Sequence, residues 1–190
     1  MAKTKGKARR KKAGKTAGAT AGRGAKKGAG RVRSVPDGFH TVSAYLVVPN
    51  AVEAMAWYAK ALGARSVMRM PGSDGRSTMH AEMRLGDSTF MLTDENPKWE
   101  MKSPSTLGGS PASLHLYVEN VDAAFQRAVA AGAQVRMPVA DMFWGDRYGK
   151  LVDPYGFQWG IATHKEDLKP AEIGRRAADY FAKLASGQSG

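Results

Sequence analysis

The chain contains no cysteine, which excludes disulfides, thiolate metal centres and thiol nucleophiles. No apolar run approaches the roughly 18 residues that a membrane span requires. The N-terminal region lacks the apolar core of a secretory signal, so the expectation is a cytoplasmic protein with no membrane partner. Acidic and aromatic residues are missing from residues 1–34, while thirteen of the 29 Lys and Arg lie there. The formal charge of +12 is therefore the charge of a tail, and the remainder is close to electrically neutral. Residues 1–38 have almost nothing to bury and read as a disordered basic tail. Residues 1–34 suit sequence-blind, salt-sensitive contact with nucleic-acid phosphates, since they have no ring to stack on bases. A nucleic-acid tether is one reading of the tail and a merely solvated segment is another; many Arg and Lys with a few Ser and Thr also suit an organelle transit peptide, against which no periodic apolar face is visible.

Beyond the tail, 43% hydrophobic content in 190 residues is enough for one domain with a real core. The β-branched and aromatic run Val42 to Val48 predicts a strand, closed by Pro49-Asn50. Val52, Met55, Ala56, Tyr58, Ala59 and Leu62 share a helical stripe, so Ala51 to Leu62 reads as a helix stopped by Gly63. Short strands are expected at Val67 to Met70, Met79 to Leu85 and Thr89 to Thr93. Asp94 to Pro111 reads as a long polar loop and a candidate lid. The same order then recurs: strand Ser113 to Val118, helix Val121 to Ala131, strand Gln134 to Met137, strand Tyr148 to Val152 and a final strand Phe157 to Ala162. Gly63-Ala64 with Arg69-Met70-Pro71 matches Gly132-Ala133 with Arg136-Met137-Pro138. Asn50 and Asn120 hold equivalent helix-entry positions. These repeats predict an α+β fold of two βαβββ units, about 41–95 and 112–164, forming a curved mixed sheet around a cleft. The domain would span 39–165. A helix starting at Pro170, with Ile173, Ala177, Tyr180, Phe181 and Leu184 on one face, occupies 166–190.

The most distinctive stretch is Phe143-Trp144-Gly145-Asp146-Arg147-Tyr148-Gly149, running on to Asp153-Pro154-Tyr155-Gly156-Phe157-Gln158-Trp159. Asp-Pro-x-Gly predicts a β-turn. Rings on either side of a guanidinium could line a cleft, or they could fill the core of a hairpin. Arg147 could clamp an anion bidentately, or brace the loop against Asp146 or Asp153. His80 and Glu82, two apart on a strand, point the same way, as an acid–base pair or as a surface pair. His115 interrupts an apolar strand and is either a catalytic group or a hydrogen-bonded core histidine.

The repeated βαβββ unit, Trp57-Tyr58 ahead of Leu62-Gly63-Ala64, and the Asp-Pro-x-Gly turn resemble the vicinal-oxygen-chelate superfamily, the fold of glyoxalase I, bleomycin-resistance proteins and extradiol dioxygenases. His80-Ala81-Glu82, the Phe143–Gly149 stretch and His164-Lys165-Glu166-Asp167 are similar to its PhnB-like branch. The resemblance covers roughly Thr41 to Leu184. It implies a cleft in which enzymes of the family hold a divalent ion with side chains from four strands. Those four positions fall on Ser43, Met91, Ser113 and Gly160, which are not competent ligands. The expectation is accordingly no cofactor, with a small planar or anionic molecule held by Tyr45, Tyr117, Trp144, Arg147 and Trp159. The alternative is a glyoxalase- or dioxygenase-type enzyme using His80, Glu82 and His115, either around one divalent metal ion or by acid–base chemistry. The resemblance also implies a homodimer.

Overall fold

Two asparagines begin the two helices around which the protein packs. The computed structural model describes residues 32–187, so most of the basic tail lies outside the described residues. From Val35 onward the chain forms β1 (Tyr45–Val48), α1 (Ala51–Leu62), β2 (Arg65–Pro71), β3 (Thr78–Leu85), β4 (Ser88–Asp94), α2 (Pro104–Leu107), β5 (Ser113–Tyr117), α3 (Val121–Ala130), β6 (Gln134–Asp141), β7 (Asp146–Val152), β8 (Gln158–His164) and α4 (Pro170–Ala185). Asn50 is extended, and its side-chain oxygen accepts from the backbone N–H groups of Val52 at 3.1 Å and Glu53 at 3.2 Å. Asn120 does the same for Ala123 at 3.0 Å. Each cap satisfies donors that the first helical turn leaves free. Gly63 closes α1 in the left-handed region, at φ 79°, where a residue with a Cβ is strained.

The strands form two four-stranded mixed sheets of matching topology, ordered β1-β4-β3-β2 and β5-β8-β7-β6. In each, the first and last strands of the repeat run parallel and the other pairs antiparallel. One face of each sheet is covered by helix. Leu46, Val48, Ala81, Met83, Phe90 and Leu92 are buried on the first, and Leu151, Trp159 and Ile161 on the second. Alternation along a strand puts the intervening residues on the opposite, outer face.

The halves join through their helices, α1 packing on α3. Trp57 Nε1 donates to the carbonyl of Ala131 at 2.8 Å, and Arg127 Nε donates to the carbonyl of Ala61 at 3.0 Å. Fully buried Tyr58 touches Phe90 of the first sheet at 5.6 Å and Trp159 of the second at 5.8 Å between ring centroids. Its hydroxyl donates to Asp153 Oδ2 at 2.8 Å, and Trp159 Nε1 donates to the same oxygen at 2.9 Å. The other oxygen, Oδ1, accepts the N–H groups of Tyr155 and Phe157, both at 2.9 Å, which shapes the Asp153–Gly156 turn. Burial raises the Asp153 carboxyl above its ordinary range despite these four donors, and burial first, then Asp153, pushes the Tyr58 phenol well up.

Several boundaries differ from the sequence expectation, each for a local reason. β1 starts at Tyr45, later than Val42. β6 continues through Pro138, which is tolerated because β6 is an edge strand and its register shifts between Met137 and Ala140. β7 starts at Asp146, which turns half of the aromatic stretch into strand. The stretch 94–111 is held down rather than free. Its Ser103 is buried, Glu95 accepts the N–H of Ser103, and Gly156 packs against Pro104. Hydrogen bonds from Thr106 and Ser103 hold the Glu95 carboxyl below its usual range. α4 buries no residue, and rests through Phe143 on Tyr180 at 5.4 Å and Phe181 at 5.9 Å. Among the described residues no helix is long and apolar enough to cross a membrane.

Candidate functional site

The outer face of the second sheet carries a wall of rings. Alternation along β7 sends Asp146, Tyr148 and Lys150 outward and Arg147, Gly149 and Leu151 toward the helices. His115 and Tyr117 of β5 point the same outward way, in register with Gly160 and Ala162 of β8. Gly160 is where the wall is built. A Cβ there would lie 2.6 Å from Tyr148 Cε2, so the tyrosine ring occupies the space above a residue without a side chain. His115 lies nearly parallel to that ring, 12° apart with centroids at 5.6 Å, and Tyr117 is 4.7 Å from His115. Trp144 meets the Tyr148 edge at 5.7 Å.

A buried carboxylate holds these rings in place. Asp146 is 4% exposed. Its Oδ2 accepts from Tyr117 Oη and Trp144 Nε1, each at 3.1 Å, and its Oδ1 faces His164 Nδ1 at 2.7 Å. The other ring nitrogen of His164 lies 3.0 Å from Asp167. These two carboxylates, Asp146 first, hold the His164 imidazole above its ordinary pKa. Burial raises the phenols of Tyr148 and Tyr117, the latter also through Asp146. Gly145 sets the angle of the loop. At φ 99° a Cβ would meet the Glu166 carbonyl, while its own carbonyl accepts the N–H groups of Lys165 and Glu166 at 3.0 Å. Asp146 and His164 are eighteen residues apart and form a cross-strand pair. Nothing in the sequence short of the β7–β8 register places His164 beside Asp146.

The first sheet brings together Tyr45, His80 and Glu82 on its outer face. His80 Nε2 is 3.3 Å from Glu82 Oε1, and its Nδ1 is 3.5 Å from Tyr45 Oη. Between β1 and β5 lies a largely apolar cavity of about 620 Å³ lined by Leu46, Phe90, Leu114, His115, Tyr117 and Trp159 among others.

Two of the expected ligand contacts are engaged elsewhere in the structure. Arg147 turns inward, where its Nε and Nη2 engage both oxygens of Asp122 at 2.8 and 2.7 Å and its Nη1 reaches Asp141 at 3.2 Å. That clamp ties β7 to α3, raises the Arg147 pKa and lowers that of Asp122. Trp159 faces the helices, is 4% exposed, and is engaged with Asp153. It lines the cavity between β1 and β5 and stands on the opposite side of its sheet from Trp144. A sandwich between those two rings is therefore closed off. His115 is likewise separated from His80 and Glu82, which belong to the other sheet, and among the described residues no three His, Asp or Glu side chains gather as a metal site.

The profile of the Glyoxalase/Bleomycin resistance protein/Dioxygenase superfamily matches residues 38–161. The chain belongs to that superfamily. An uncharacterized protein of Mycobacterium bovis is 41% identical over 135 residues, 70% of this chain and 88% of its own, and one of Mycobacterium tuberculosis is 41% identical over 70% of this chain and 79% of its own. Among solved structures, TioX from Micromonospora sp. ML1 is 25% identical with a TM-score of 0.52, covering 65% of this chain and 97% of that one. A PhnB protein from Bacillus cereus, 21% identical with a TM-score of 0.51, covers 65% and 99% and shows the fold alone.

The four positions at which enzymes of the superfamily hold a divalent ion do not fit one here. Met91 offers a weak thioether, Gly160 offers nothing beneath the Tyr148 ring, and the Ser43 hydroxyl donates to the His40 carbonyl at 3.2 Å. Ser113, the fourth, is a neutral hydroxyl.

Proposed function

We propose that this superfamily member binds a small planar, anionic molecule on the outer face of its second sheet, without a metal ion. The observation that supports it is the ring platform at Gly160, where Tyr148 lies over a residue with no side chain beside His115, Trp144 and Tyr117. The buried Asp146 brace fixes the platform before a ligand arrives, which lowers the ordering cost of binding. A stacked aromatic pair contributes about 0.5–1.5 kcal/mol beyond area burial, so loss of one ring weakens binding by up to roughly tenfold. Titrating aromatic and α-oxo acids against thermal stability tests this, because a ligand bound to the native state raises its stability by mass action. Stabilisation that disappears in Tyr148→Ala supports the reading, and equal stabilisation of both proteins overturns it.

The partner in this proposal is a second copy of the chain. Tyr45, Met68 and Met70 are exposed on the outer face of the first sheet, and among the described residues β1 and β5 are edge strands, each paired on one side only. A homodimer covers such surfaces and closes a cup over the ring platform. Light scattering that gives the monomer mass at micromolar concentration sinks the dimer. A second reading, acid–base catalysis at His80, is favoured by its contacts to Glu82 and Tyr45 on a half-shielded face. Turnover abolished in Glu82→Gln, with ligand binding retained, would establish it.

A further inference from the structure

The outer face of the second sheet carries a second feature that the ring platform leaves unexplained. Next to Tyr148, the strands β6, β7 and β8 and the tethered segment around α2 enclose a groove of about 550 Å³, lined by Ser105, Ser110, Arg136, Lys150, Val152 and Gln158 among others. It contains two cations and no acid. Arg136 and Lys150 make no ion pair and no side-chain hydrogen bond among the described residues. Arg147, Arg175 and Arg176, by contrast, each engage carboxylates, and Arg69, Arg84 and Arg127 donate to backbone carbonyls. The two cations come from neighbouring strands, with Met137 the register partner of Lys150. Like charges so placed across a strand pair repel, and an anion bound between them relieves that repulsion.

The groove is held open by structure on its far side. Gln158 Nε2 donates to the Ser110 carbonyl at 3.2 Å, which fastens the segment to β8. Gly156 approaches Pro104 so closely that a Cβ would sit 2.9 Å from its Cβ, at a φ of 90° that disfavours any other residue. Ser103 Oγ, 2.7 Å from Ser105 Oγ, and the Glu95 carboxylate anchor the start of the segment. The walls therefore do not have to form around a ligand.

We propose that Arg136 and Lys150 form an oxyanion site that takes a doubly charged phosphate or dicarboxylate group. The guanidinium presents a planar fork to two oxygens and the ammonium adds a point charge. Lys150 is two residues beyond Tyr148 on one face of β7, so the site receives the charged end of a molecule whose ring lies on Tyr148. This part rests on the reading of that face as the ligand platform. Arg147, committed to Asp122, is replaced in that role by Lys150 and Arg136.

The test uses the whole chain and inorganic phosphate alone, with malonate as the dicarboxylate arm and potassium chloride at matched ionic strength as the control. The expected result is saturable thermal stabilisation by phosphate or malonate and not by chloride, weakened at least tenfold in affinity in Arg136→Ala/Lys150→Ala. Both side chains lie at the surface of the groove, so the double variant keeps its fold, which circular dichroism checks. The better of the two anions names the source chemistry. Equal stabilisation by chloride, or unchanged affinity in the double variant, overturns the site. A planar neutral aromatic that still binds in the double variant but not in Tyr148→Ala locates the failure in the anion site alone. Phosphate that binds normally to Tyr148→Ala while no planar compound binds the native protein leaves the anion site standing and removes the platform.

Discussion

A single methyl group at position 160 separates the ring platform from ordinary packing. The new carbon would lie 2.6 Å from Cε2, 2.7 Å from Oη and 3.1 Å from Cζ of Tyr148, whereas non-bonded carbons settle at about 3.5–4.0 Å. The ring must rise by roughly 1 Å. Tyr148 is half-buried and can swing outward, so Gly160→Ala is expected at the low end of overpacking, about 1 kcal/mol. The flat contact with His115 and the surface offered to a ligand are lost with that swing. If the ligand stacks there, the loss is about 0.5–1.5 kcal/mol, two- to tenfold in affinity. Gly149→Ala is the matched control on the same sheet. Its Cβ would meet Phe125 Cε2 at 2.7 Å and Val139 Cγ2 at 2.9 Å on the buried face, where the neighbours cannot swing into solvent, and an overpacking cost of about 1–3 kcal/mol is expected. Calorimetric titration with phenylglyoxylate, an α-oxo acid with its ring conjugated to the ketone, run beside urea denaturation, reads both quantities. Affinity should fall at position 160 and hold at position 149, where stability falls further instead. Native affinity in Gly160→Ala, or an affinity loss no larger than that in Gly149→Ala, refutes the platform.

Other outcomes follow from the same contacts. Asp153→Ala strands the Tyr58 hydroxyl and Trp159 indole N–H in the core, each at about 1–3 kcal/mol, so a drop of several kcal/mol in urea-measured stability is expected, and a loss under about 1 kcal/mol contradicts the bridge between the halves. His164 has its pKa raised in the folded state, so its contribution is complete below the unfolded value of about 6.5 and fades as pH rises through the higher folded value. Urea midpoints across that range should fall in the native protein and fall less in His164→Gln. Arg147→Gln should lower stability and leave ligand affinity unchanged, since the guanidinium serves Asp122 and Asp141. For the tail, removing residues 1–34 should end retention on DNA at low salt, and unchanged retention dismisses the tether.

Much of the fold is legible because its signals are local. Asn50 and Asn120 cap helices, Gly63 stops one, and Asp153 to Gly156 turns as its residue types dictate. The repeat then dictates two equivalent sheets. The site is less legible because it depends on which face each strand residue takes. A strand assumed to begin at Tyr148 leaves Arg147 in a loop, free to point into a cleft. The strand begins at Asp146, and a period of two then sends Arg147 to the helices and Lys150 outward. Along β8 the same period of two sets Gly160 outward and Trp159 toward the helices. Lys150 belongs to no motif and Arg136 reads only as part of the repeat, and the bulged β6–β7 pairing brings them to one groove.

The most direct measurement uses the four tryptophans as reporters. In a ¹H–¹⁵N spectrum each indole N–H gives one resonance, assignable by Trp144→Phe and its counterparts at Trp57, Trp99 and Trp159. Titrating a planar carboxylate should move the Trp144 signal in proportion to saturation, because that ring touches Tyr148 and donates to Asp146, while buried Trp57 and Trp159 stay still. A Trp144 signal that remains in place while Trp159 moves would put the ligand in the cavity between β1 and β5 and contradict the account.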